Sequence, residues 1–93
     1  TGELLGNLAD LTVEGLMLIG EQPLPVGTLY DLRMDLPVGF DFPKRHLDML
    51  GQSKWCAPDI VPRFFNTGFH LEHVESEDIA VIERLVEDYG LRE

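Results

Sequence analysis

The residue types most able to do chemistry in a small space sit at Asp10-Leu11-Thr12-Val13-Glu14-Gly15. This segment puts two carboxylates, a hydroxyl and a glycine on one short polar stretch. Asp and Thr side chains hydrogen-bond nearby backbone N–H groups in turns, and glycine adopts backbone angles closed to other residues. The same groups could accept or donate hydrogen bonds to a ligand. Two readings of Asp10 and Thr12 therefore stand side by side: turn capping alone, or turn capping with ligand contact.

Other candidates are scattered. Trp55 is the sole tryptophan and lies beside Cys56 in an apolar stretch; it is read as core packing, with base stacking as the alternative. Lys44 and Arg45 form the one adjacent basic pair and read as a solvated strand end that could otherwise hold an anion. His46, Cys56, His70, Glu72 and His73 could be gathered into a metal site on paper. However, no Cys-x-x-Cys or His-x-x-x-His spacing supports one, and the histidines read as surface residues. Phe64-Phe65 either packs under the helix or meets a partner. Ser53 and Ser76 fall at strand and cap positions rather than in a nucleophilic arrangement. Nothing sets two carboxylates across a cleft, so the chain is expected not to be an enzyme.

The elements that must position these residues are mostly strands. Apolar runs at 3–9 and 16–20 flank the polar turn. Tyr30, Leu32, Met34 and Leu36 alternate with Asp31, Arg33 and Asp35, the period of a half-buried strand, with Pro37 and Gly39 as its exit. A strand at 46–56, bent or bulged at Gly51, and another at 67–72 follow. Helical spacing of Ile79, Ile82, Leu85, Val86 and Tyr89 predicts a helix over 77–89, with Ser76 as N-cap and Gly90 as stop. Glu83, Glu87 and Asp88 make its outer face acidic, either a solvated face or a dock for a basic partner. The fold class is therefore mainly β: a small antiparallel barrel or roll of about five to six strands with a C-terminal α-helix.

Bulk properties narrow the function. The 93 residues suit one small domain. A net charge of −10 disfavours long nucleic acid and anionic membranes as partners. The lone Cys56 fits a reducing cytoplasm. No apolar run approaches the roughly 20 residues of a membrane helix.

Asp10-x-Thr12-x-x-Gly15 followed by a strand resembles the Asp/Asn-x-Ser-x-x-Gly motif of PilZ domains, bacterial receptors for cyclic di-GMP. Lys54-Trp55 is similar to the end of a family strand in Val-x-Trp, and Thr67-Gly68-Phe69-His70-Leu71 is similar to its Gly-x-x-Phe strand. The resemblance implies a six-stranded barrel with a C-terminal helix. It also implies cyclic di-GMP as a candidate ligand with no other cofactor, a protein partner, and Asp10, Thr12 and Gly15 as ligand-binding residues. The family's Arg-x-x-x-Arg segment has no counterpart: only nine residues precede Asp10 and none is basic. Two readings fit. The arginine segment and first strand lie upstream of Thr1, as the non-Met start suggests, or the chain is a degenerate member serving as a protein-interaction adaptor. Glu3 and Glu14 near the turn would repel phosphate unless turned away.

Overall fold

The computed structural model describes residues 5–36, 42 and 44–89. Expectations for Glu3, Pro37, Gly39, Gly90 and the side chain of Tyr89 fall outside these residues. Five strands precede one helix: β1 (Asn7–Leu11), β2 (Gly15–Gly20), β3 (Leu29–Asp35), β4 (His46–Pro58), β5 (Phe65–His73) and α1 (Ser76–Tyr89). All pairings are antiparallel and the strand order is β1-β2-β5-β4-β3. The sheet curls into a half-barrel, mainly β with a C-terminal helix, as the hydrophobic alternation predicts.

The inner face is assembled from alternate residues in register. Leu11 pairs with Leu16, Leu16 with Phe69 and Phe69 with Ser53. Leu32 faces Met49, and Met34 faces Leu47. The Tyr30 ring meets Phe69 edge-on, with centroids 5.7 Å apart. Asp31, Arg33 and Asp35 point outward, so β3 follows its period-2 pattern.

Helix α1 adds Val81, Ile82 and Leu85 to the same buried cluster. Its buried face is offset from the expected one: Ile79 is exposed, while Asp78 and Val81 are buried. The helix also begins one residue earlier than the pattern predicts. The Glu75 carbonyl, rather than the Ser76 hydroxyl, holds its first turn, accepting from the N–H groups of Asp78 at 2.9 Å and Ile79 at 3.2 Å. Lys44, expected to be solvated, instead reaches the buried Asp78 carboxylate at 2.9 Å and Glu77 at 3.5 Å. That ion pair fastens the helix start to the chain entering β4 and sets a cation against a carboxylate only 2% exposed. The Asp78 contact in particular holds the Lys44 ammonium above its ordinary pKa.

Two irregularities break the alternation. Between Leu8 and Asp10 the β1–β2 register shifts, and between Ser53 and Trp55 the β4–β5 register shifts. In each case an extra residue, Ala9 or Lys54, lets the next side chain change face. Leu8 and Ser53 point inward, whereas Asp10 pairs with Met17 and Trp55 pairs with Gly68 on the outer face. A third shift, between Leu50 and Gly51, lies at the bend expected near Gly51.

Candidate outer-face groove

The two bulges act on a single row. Reading across the sheet, Asp10 of β1 faces Met17 of β2, Met17 faces Gly68 of β5, and Gly68 faces Trp55 of β4. The outer face therefore carries a carboxylate at one end of the row and an indole at the other. A groove of about 400 Å³ runs along it, lined by Asp10, Thr12, Glu14, Gly15, Met17, Lys54, Trp55, Gly68 and His70 among others.

The polar end is a tight hairpin turn. Strands β1 and β2 extend further than the apolar runs suggest, so Asp10 and Leu11 belong to β1, Gly15 to β2, and the turn itself is Thr12–Glu14. The Thr12 N–H donates to the Gly15 carbonyl at 2.8 Å. The Thr12 hydroxyl accepts from the N–H groups of Glu14 and Gly15, both at 3.2 Å, and donates to the Gly15 carbonyl at 3.4 Å. Thr12 thus caps the turn with its hydrogen-bonding capacity engaged. Asp10 is half-buried; its Oδ1 accepts from the Leu11 N–H at 2.9 Å. Its other oxygen has no hydrogen-bond partner among the described residues, which leaves a free acceptor at the groove.

Gly15 serves a different purpose from the one expected. Its φ is not positive, so it does not supply a left-handed turn. A Cβ there would lie 2.5 Å from the Phe69 carbonyl oxygen, so glycine is what lets β2 and β5 approach at the hairpin.

The aromatic end corrects the reading of Trp55 as core. Trp55 is 45% exposed. Its indole lies over Gly68, where an added Cβ would sit 2.2 Å from Nε1 and 2.3 Å from Cε2. Strict alternation from Leu47 through Met49 and Ser53 sends Trp55 inward; the bulge after Ser53 sends it outward. Lys54, the inserted residue, is exposed and donates from Nζ to Gln52 Oε1 at 2.7 Å. His70, also exposed, pairs with Gly15 across β2–β5. The fold therefore brings Lys54 and His70 to the groove that the turn lines, neither adjacent to the turn in sequence. Glu14 is exposed at the same groove.

Comparisons with known proteins return nothing. No family model, no curated protein and no solved structure matches the chain. The groove's own geometry must carry the functional argument.

The remaining candidates disperse. Among the described residues no group of three or more His, Cys, Asp or Glu side chains converges as metal ligands would. His46 lies 3.4 Å from Asp48, and His73 lies 2.6 Å from Glu75. The Cys56 thiol accepts from the Thr67 hydroxyl at 3.4 Å. Arg45 is exposed. Phe64 is half-buried with the Arg63 guanidinium 5.1 Å from its ring centroid, and Phe65 lies in β5. Neither belongs to the cluster that contains α1, so the pair does not pack under the helix. No helix among the described residues is long and apolar enough to cross a membrane.

A second concavity lies on the other face. The edges β1 and β3, unpaired with each other, flank a cleft of about 1040 Å³ floored by Leu8, Leu18, Leu32 and Met34 and rimmed by Asp31 and Asp35.

Proposed function

We propose that this chain is a PilZ-like receptor domain that binds cyclic di-GMP in the outer-face groove and regulates a partner through the resulting change in its surface. The observation that carries the reading is the convergence of Asp10, Thr12 and Gly15 with Lys54, Trp55 and His70 in one groove. Three of these form the Asp-x-Thr-x-x-Gly turn; the other three come from distant strands. Asp10 offers an acceptor to a base N–H. Lys54 brings the positive charge that a phosphate needs, offsetting Glu14, and His70 adds a ring nitrogen that can hydrogen-bond it. Gly15 keeps the hairpin close to β5, and Thr12 holds the turn in shape.

The test is calorimetric titration of the full-length protein with cyclic di-GMP, repeated on Asp10→Ala. Saturable heat that weakens at least several-fold in the variant supports the reading. Absence of saturable heat with the wild-type protein refutes it.

The cleft between β1 and β3 favours a second reading, a protein-interaction adaptor that binds no nucleotide. Its apolar floor and the strand edges, unpaired among the described residues, suit an added strand from a partner. Under that reading the titration is silent, and the protein partner binds through the cleft instead.

A further inference from the structure

We propose that Trp55, held over Gly68, is the stacking platform of the outer-face groove and receives one purine base of the bound nucleotide. This rests on the nucleotide-binding reading above and assigns its ring-binding subsite.

Four observations converge. First, the indole is braced from below: the three atoms nearest to an added Gly68 Cβ all belong to Trp55, at 2.2, 2.3 and 2.8 Å. One face of the ring therefore rests on glycine backbone, and the residue still keeps 45% exposure. A ring fixed on one side and open on the other is the arrangement that aromatic platforms use for bases, because every base has a π-face. Second, the fold expends a register shift to put the ring there. Without the bulge at Ser53/Trp55 the indole would join the inner face.

Third, charged and polar side chains line the same groove as the ring. Lys54 supplies a cation for a phosphate, His70 a ring nitrogen for hydrogen bonding, and Asp10 an acceptor for base N–H groups. An aromatic residue of a protein partner would use the ring but has no need of that set. Fourth, the dimensions fit. The indole reaches over β5, two strand spacings from Asp10 on β1, or about 10 Å. That is the scale of a nucleotide lying across the strands rather than of a single ring.

Because Trp55 is the only tryptophan, its emission reports the platform directly. The full chain is titrated with cyclic di-GMP, GMP, AMP and ribose 5-phosphate, following tryptophan fluorescence and heat together. Trp55→Ala and Trp55→Phe are titrated by calorimetry, with far-UV circular dichroism checking that each is folded. The expected result is saturable quenching by the purine nucleotides and none by ribose 5-phosphate. Trp55→Ala should weaken binding about tenfold or more, and Trp55→Phe should recover most of the loss. Heat from cyclic di-GMP with unchanged emission and unchanged affinity in Trp55→Ala overturns the platform and leaves the receptor reading standing. Quenching by GMP or AMP with no response to cyclic di-GMP supports the platform and refutes that receptor reading. No quenching by any purine nucleotide overturns the platform.

Discussion

Replacing Gly68 with alanine should destabilise the protein, and the sign of the effect should depend on Trp55. In the wild-type background the new methyl meets the indole at 2.2 Å, so the ring must leave its seat. Trp55 is 45% exposed, so roughly half of its surface is covered. With about 200 Å² for a large aromatic side chain, the covered part is about 100 Å². At about 25 cal/mol per Å² its loss costs about 2.5 kcal/mol. Alanine returns roughly 0.5–1 kcal/mol by restricting the unfolded chain, for a net destabilisation of about 2 kcal/mol. In a Trp55→Ala background there is no ring to displace. Gly68→Ala should then stabilise by up to about 1 kcal/mol. The double-mutant cycle should yield a coupling of about 2.5 kcal/mol. Urea denaturation followed by far-UV circular dichroism measures all four proteins, and the emission of the Gly68→Ala protein should move to longer wavelength as its indole enters water. Equal cost of Gly68→Ala in both backgrounds, within about 0.5 kcal/mol, would refute the packing of Trp55 on Gly68.

Ser53→Ala should cost about 2 kcal/mol in urea unfolding, because the fully buried hydroxyl donates to the Pro25 carbonyl at 2.6 Å and accepts from the Thr28 N–H at 3.1 Å. Ile82→Ala should cost about 2–5 kcal/mol by opening a cavity under α1, measured the same way. Stability should also fall at both ends of the pH range. The Arg33 guanidinium holds Asp48 below its ordinary 3.8, and the Val61 N–H with the Asn66 amide does the same for Asp59. Their contribution is present above that value and is lost as pH falls below it, because the unfolded chain binds protons first. Lys44, raised above 10.5 chiefly by Asp78, contributes below that value and loses its contribution as pH climbs past it. Thermal unfolding across pH 2–12 checks both arms; Lys44→Met should flatten the alkaline arm, and an unchanged arm would count against the ion pair.

The sequence was most legible where one period governed a whole element. Strand β3 reads as strict alternation because its outward Asp31, Arg33 and Asp35 meet solvent and its inward Leu32 meets the core. The helix was legible as an element but not in its orientation, because Lys44 neutralises Asp78 and so allows a carboxylate on the buried face. At the groove, the turn residues could be picked out by type. Trp55 could not be placed, since a bulge leaves no mark in a pattern of apolar and polar residues: Lys54 looks like any outward strand residue. The one local cue is Gly68, a glycine inside an otherwise regular strand, which often marks a close approach by another group. Spacing along the chain does not reveal that Lys54 and His70 share a groove with the turn, because pairing between distant strands brings them there.

The outward row of β3 bears on how copies of the protein behave when crowded. Its alternating Asp31, Arg33 and Asp35 present a toothed line of charge along a strand whose outer edge pairs with no other strand among the described residues. A second molecule approaching to extend the sheet would have to desolvate those charges and contend with the repulsion between two strongly anionic bodies. Solubility thereby rests on electrostatics that dissolved ions weaken, so concentrated salt should bring the molecules together before heat unfolds them.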